Sequence, residues 1–475
     1  MSNTISQNLT RLQNAQASIA TAIQNKGGTV GSQDGFEEFP NDILSIPTSE
    51  ETLAFLFVTT TAGTTITVSK NGTTLDPQTS TSGEELCFKI LSYGTWTVSG
   101  DNDITKTISI SQYGSYYVKI DASIYGVEWD KTTTSILKRT DDSSSFSDPV
   151  PFVNDGNTQG SSPFDNIYPW KDICIETIEG NDFVKIPKFW YKIENTSDKF
   201  KLQISDKQVS GFSVSPAHMD RGDGEGERDY VYIGRYKSNS TNYKSTTNSQ
   251  VMVSKTMAQC RTGCSSVGTY YWQQDYTFFC TIRFLYLVEF AYYDSKKSIG
   301  VGGLSNGMIN TGTTDSMPYH TGTMLSDKTT AGAGIQYRYI EDMCSGEEWL
   351  DGINAYNNVV YIEINPTNFK TGKYGVATEP RRGITAGSGT HYYAPRTTTG
   401  YDWAIFPAIL SSSTGSGIIQ GPKDYYSCST NTYTVYIGSS SSNGMFAISA
   451  GNGPGSGSDT STTRGCRLMY LPPNS

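Results

Sequence analysis

The stretch His218-Met219-Asp220-Arg221-Gly222-Asp223-Gly224-Glu225-Gly226-Glu227-Arg228-Asp229 carries the densest group of carboxylates in the chain. On a glycine-rich loop, Asp220, Asp223, Glu225, Glu227 and Asp229 are the residue types that supply the roughly six to eight oxygens a calcium ion takes. Their spacing departs from the EF-hand template, which alternates its carboxylates, turns on a central glycine and ends on a glutamate. The expected structure is a solvated turn, with a calcium loop as the alternative, and no metal is assigned. The embedded Arg221-Gly222-Asp223 tripeptide is short enough to arise by chance. Cys260-x-x-x-Cys264 has the form of half a zinc site, yet no second Cys or His pair follows at ligand spacing.

Hydrolytic chemistry has little to build on. The chain has His218, His320 and His391 as its histidines, with no Gly-x-Ser-x-Gly elbow and no His-Glu-x-x-His helix. Glu341/Asp342 and Glu347/Glu348 are carboxylate pairs of the kind a glycosidase uses. Adjacent residues point apart on any regular element, however, and Trp349 beside them has the character of core. No catalytic residue and no cofactor is assigned, and a surface-glycan depolymerase stands as an alternative reading.

The other chemistry on offer is recognition. From Arg381 onward the chain holds Tyr392, Tyr393, Tyr401, Trp403, Tyr425, Tyr426, Tyr433 and Tyr436, separated by Ser, Thr, Gly and Asn. Tyrosine gives a large, stiff, half-polar contact surface at low entropic cost, and the small polar residues give adaptable hydrogen bonds around it. These eight residues are the expected ligand-binding set.

Composition narrows the partners. Leu is scarce, Ser, Thr, Gly and Tyr fill its place, and the apolar share is 36% over 475 residues. Such usage favours strands and polar loops over helix bundles. The formal net charge is −10 with no basic run, which argues against a nucleic-acid partner. No apolar run is long enough to span a membrane, and the N-terminal residues are too polar for a secretion signal, so synthesis in a cytoplasm is expected, without membrane insertion. Eight dispersed cysteines are expected to be mostly buried thiols.

The elements follow from pattern. Ile5, Leu9, Leu12, Ile19 and Ile23 keep a heptad frame with Gln16 in the missing seat, and Gly27-Gly28 ends it. A short helix with a narrow apolar stripe needs parallel partners, and a homotrimer is expected. Period-two alternation from Thr52 to Asp121 predicts six or seven short strands, with turns at Asn71-Gly72 and Tyr93-Gly94. Asp275 to Asp294 has a helical pattern, Val184 to Ile193 reads as a strand pair interrupted by Pro187, and Asn358 to Ile364 reads as a strand. The expected fold class is α+β, mostly β and loop-rich. It comprises an N-terminal helix and linker (1–50), a small β-sandwich spacer (51–123) and one large domain (124–475).

Six motifs occur in order: Tyr125-Gly126-Val127-Glu128-Trp129-Asp130, Val184-Lys185-Ile186-Pro187-Lys188-Phe189-Trp190-Tyr191, Gly211-Phe212-Ser213-Val214-Ser215-Pro216-Ala217, Leu285-Tyr286-Leu287-Val288-Glu289-Phe290-Ala291, Gly346-Glu347-Glu348-Trp349-Leu350-Asp351-Gly352 and Gly465-Cys466-Arg467-Leu468. Together they resemble the C-type-lectin-like fold of the formylglycine-generating superfamily, in the branch found in phage tail fibre proteins and in the variable proteins of diversity-generating retroelements. The first 45 residues resemble phage tail and baseplate-associated proteins. In the enzymes of that superfamily the Glu-Trp motif is usually preceded by another tryptophan, where this chain has Glu347. The oxidases also use a cysteine pair near the C-terminus, whereas Cys428 and Cys466 lie far apart here. What the resemblance implies is therefore a receptor-binding, host-attachment role in the virion and not oxidase chemistry. The implied partners are a bacterial surface glycan or protein at the C-terminal face, and tail or baseplate proteins at the N-terminus. A structural tail component without a ligand is the third reading.

Overall fold

The computed structural model describes residues 5–25, 30, 53–101, 104–130, 137–302, 308–332, 334–356, 359–369, 377–380, 395–398, 401–407, 426–427, 432–439, 445–446, 448–452 and 460–473. Few helices and many short strands make it α+β with a β majority and long loops, as the composition requires. The chain divides into two compact units, Met1–Asp121 and Ala122–Ser475.

The first unit begins with the helix Ile5–Asn25. Leu9, Leu12 and Ile19 of its apolar stripe are 56%, 55% and 38% exposed, while Ile23 is buried. Among the strands that follow, Ala54–Thr59 and Leu86–Ile90 bury every second residue. Ala54–Thr59 pairs antiparallel with Leu86–Ile90 and parallel with Ser115–Lys119, giving one three-stranded sheet. Thr65–Lys70, Gly94–Gly100 and Thr105–Ile110 form the body of a second sheet. Asn71 and Gly72 both take positive φ, the backbone a tight hairpin needs between strands of right-handed twist. The parallel pairing was not legible from a run of evenly spaced strands.

The second unit is organised around the helix Tyr276–Phe290, all of whose residues are buried. Asp275 caps its start by accepting from the Thr277 and Phe278 amides, and Ala291 ends it in a left-handed conformation. A helix apolar on every side must lie inside, and Phe278, Phe279, Leu285, Tyr286 and Val288 sit in the main core. Pro187 ends Asn181–Pro187, and Trp190–Asn195 then joins a different sheet, so the interrupted strand pair is two strands in two sheets. Val359–Ile362 forms within the stretch expected to be a strand.

Leu468–Tyr470 lies between Tyr230–Gly234 and Tyr271–Gln273, tying the closing motif to strand partners 195 to 238 residues earlier in the chain. Gly346–Leu350 is paired with Thr432–Ser439 on one side and Arg464–Gly465 on the other. Gly438 has φ 73°, and a Cβ there would stand 2.2 Å from the Gly346 carbonyl oxygen, so only glycine lets these strands close.

Candidate functional site

Of the tyrosine-rich set, Tyr392, Tyr393 and Tyr425 lie outside the described residues. Tyr426, Tyr433 and Tyr436 are described as strand positions only: Tyr426 aligns with Ile448, and Tyr436 lies opposite Trp349 and Ser449. Trp403 is a correction. It is 4% exposed and belongs to the main core, in ring contact with Tyr276 and Tyr401 at 5.7 Å each, so it presents no face to a ligand. Tyr401 is half-buried against the same core.

The acidic loop is a turn whose carboxylates stay largely exposed, Glu227 and Asp229 among them, while its two arginines turn inward and clasp the core. Arg221 is fully buried, bonded to the Asp275 carboxylate and to the Thr277 hydroxyl at the start of the central helix. Arg228 is 1% exposed and donates to Asp223 at 2.7 Å and to the Pro472 carbonyl at 3.0 Å. Buried guanidiniums need such partners, and the loop's carboxylates supply one of them. The arginine of the Arg221-Gly222-Asp223 tripeptide is therefore out of reach of any partner protein. Among the described residues no group of three or more His, Cys, Asp or Glu side chains is arranged to hold a metal ion.

The carboxylates that resembled a hydrolase pair are committed elsewhere. Glu348 is fully buried between Lys237 at 2.6 Å and Arg467 at 2.8 Å, and these cations hold its carboxyl down at about 2 against the cost of burial. Glu347 pairs with Arg464 at 2.7 Å. Glu341 and Asp342 are both buried, and Glu341 accepts from the Gly312 and Thr314 amides at 2.9 and 2.8 Å. Burial, then the neighbouring Asp342, push Glu341 up to about 7.

Two histidines are described. His218 is fully buried, with its Nδ1 2.6 Å from the Ser215 hydroxyl and its Nε2 3.0 Å from the Ile186 carbonyl oxygen. That is a serine-histidine contact, but it has no solvent face and no carboxylate behind the ring, so it serves the core. Burial holds its pKa down at about 3. His320 bonds to Asp165 at 2.9 Å and is likewise lowered by burial.

These groups fix a pH profile. The lowered His218 contributes stability that is full above its unfolded value near 6.5 and is lost as pH falls toward about 3. His320, lowered likewise, acts with it, and the raised Glu341 and Asp342 act oppositely, adding stability as pH falls from about 7 toward the unfolded carboxyl values. Below 4.5 the lowered Glu348 joins His218 in losing stability on acidification. Stability of the second unit is expected to change little from pH 7 to about 4.5 and to fall steeply below it, at roughly 1.4 kcal/mol per pH unit for each titrating group. Urea midpoints across that range check it, and a steep fall already at pH 6 would contradict it.

The remote Cys466 joins Cys260 and Cys264 in one buried cluster, with Cys264 Sγ 3.9 Å from Cys466 Sγ. Spacing along the chain hid this, since the third thiol lies some two hundred residues downstream. Contacts from the other two thiols lower Cys466, while burial raises Cys264.

An open surface cleft of about 340 Å³ is lined by Tyr168, Lys188, Trp190, Asp206, Asp229 and Tyr230, with Lys207 at its edge. It lies where the chain crosses from one sheet to the next through Pro187-Lys188-Phe189. Phe189 is fully buried and anchors the crossing, which leaves Lys188 and Trp190 partly exposed on either side. Tyr230, the first residue of its strand, is 44% exposed and lies under the Lys185 ammonium at 4.0 Å. Lys188 pairs with Asp229 at 2.7 Å and stands 5.7 Å from the Trp190 ring. The Tyr168 hydroxyl donates to the Lys188 carbonyl, fixing the cleft wall. Partly exposed rings beside carboxylates and ammonium groups are what a sugar ring requires: an apolar surface to stack on and polar groups to bond its hydroxyls. The sequence signal for this cleft was the Val184–Tyr191 motif, which the C-terminal tyrosines overshadowed.

Among the described residues no helix is long and apolar enough to cross a membrane. No known family model matches the chain, and no curated protein is significantly similar to it.

Proposed function

We propose that this chain is a phage tail-associated receptor-binding protein that docks on a bacterial surface glycan. The observation that carries the reading is the aromatic cleft of Trp190, Tyr230 and Tyr168, rings left partly exposed beside Lys188, Asp206 and Asp229. Of the carboxylate pairs the sequence offered, Glu348 is buried in an ion pair, Glu341 is buried on backbone amides and Glu347 is held by Arg464, which favours binding over cleavage by those pairs. The exposed stripe of Leu9, Leu12 and Ile19 suits a parallel trimer stalk at the tail end, and three heads would multiply a weak contact. The C-terminal tyrosines that remain candidates, Tyr392, Tyr393, Tyr401, Tyr425, Tyr426, Tyr433 and Tyr436, would form a second contact face.

The test is adsorption of the fluorescently labelled full-length chain to a panel of intact bacteria, with the medium assayed for released sugar. Strain-restricted adsorption without sugar release is the expected result. Sugar release would turn the reading to a depolymerase, and adsorption to no strain would make the chain a structural tail component. Adsorption that survives periodate oxidation of the cells but not protease would replace the glycan with a protein receptor.

A further inference from the structure

A second cavity, of about 530 Å³, opens between the strand Lys138–Asp141, the loop carrying Phe146 and Asp148, and the end of the central helix. Its charged lining is lopsided for a chain of net charge −10: Lys138, Arg139, Lys297 and Lys328 against the single carboxylate of Asp148. Arg139 is already committed. It donates to Asp148 at 2.6 Å and to the Glu289 carbonyl at 2.7 Å, so it answers both that carboxylate and the negative end of the helix.

Three ammonium groups remain. Lys138 and Lys297 stand exposed at the mouth, while Lys328 is half-buried and donates to the Ser298 carbonyl at 2.7 Å. Among the described residues none of the three has an ion pair. A partly desolvated cation facing a cavity without a counter-charge is costly, and burial alone pushes Lys328 below its ordinary value. The Ser298 carbonyl answers one of its donors without supplying a counter-charge, and a bound anion would supply one.

Between these charged groups the wall is aromatic. Phe290 stacks on Tyr286 at 4.9 Å, and Phe146 meets Phe164 edge-on at 5.2 Å. With Tyr292 they leave room for a group of small-molecule size.

We infer that this cavity is an oxyanion-binding site, with Lys328 at its base and Lys138 and Lys297 at its mouth, for a carboxylate or phosphate carried on a sugar or polyol. The inference goes beyond the docking role and stands without it, because the cavity shares no lining residue with the aromatic cleft.

The test titrates the full-length chain with D-glucuronate, glycerol 3-phosphate and neutral D-glucose, by calorimetry and ligand-observed NMR. At least one anion is expected to bind, more weakly as salt rises, and glucose is expected not to. Which anion binds tells a uronic-acid source from a polyol-phosphate one. Lys328→Met should weaken binding about tenfold or more, the scale of a charged hydrogen bond. The double change K138Q/K297Q, at exposed positions that do not threaten folding, should weaken it by a smaller factor of two or so. Equal binding of glucose, no binding of either anion at low salt, or undiminished binding by both variants would overturn the inference.

Discussion

Glu348→Gln is expected to destabilise the second unit by about 3–5 kcal/mol, the usual cost of leaving buried cations without their counter-charge. Glu348 is fully buried and is the carboxylate both Lys237 and Arg467 face. Arg467 spends its whole guanidinium there: Nε and Nη2 on Glu348, Nη1 on the Gly234 and Arg235 carbonyls, and Nη2 again on the Glu341 carbonyl. One side chain of the closing motif thus ties together three distant segments, and Glu348 is what makes its burial tolerable. Gln keeps the shape but removes the charge, and its amide points donors at donors.

Urea unfolding of the full chain reads this directly, because the two units supply an internal control. The transition of the second unit should move to lower urea, while that of the first stays within about 0.5 kcal/mol of its original value. Glu347→Gln is the companion variant. Its pair with Arg464 is partly exposed, and the loss should stay near 1 kcal/mol or below. Equal losses from the two variants would show that burial does not set the scale here.

How far the sequence reaches can be followed residue by residue. Strands with a water face were legible because alternation survives in them, as at Leu86–Ile90. The central helix was legible as a helix, but its buried character on every side erases amphipathic spacing, so its partners were not. The acidic loop misled because composition cannot show where a side chain points. Arg221 and Arg228 turn inward and Asp223 pairs with Arg228, while Asp220, Glu227 and Asp229 stay exposed. Trp403 misled in the opposite sense, since a tyrosine-rich context suggested a surface while the ring itself is core. The thiol cluster and the Glu348 network join positions 202 and 119 residues apart, separations over which one sequence carries no pairing signal. Both cavities are made by crossings between elements, and the local signal was the Val184–Tyr191 motif at the aromatic cleft.

The aromatic cleft yields the other large expected effect. Replacing Trp190 and Tyr230 together with Ala should lower cell adsorption of the assembled protein by roughly a thousandfold. The single-site loss is modest, since removing stacked rings costs about 1–2 kcal/mol, or roughly tenfold in affinity. In a three-headed assembly each head loses that factor, and the losses compound as long as all three engage a dense receptor. Neither ring is core: Tyr230 is 44% exposed and Trp190 partly exposed, so the fold should lose little. Flow cytometry of labelled chain on an adsorbing strain, beside unfolding midpoints of the same variant, separates the outcomes. Lost adsorption with an unchanged midpoint assigns the rings to the receptor. Unchanged adsorption would move the contact to the C-terminal tyrosines, where Tyr425 and Tyr426 replaced together become the next pair to read. A tenfold loss in place of a thousandfold one would keep the cleft and set aside the trimer, because compounding is the one feature that a lone head cannot produce.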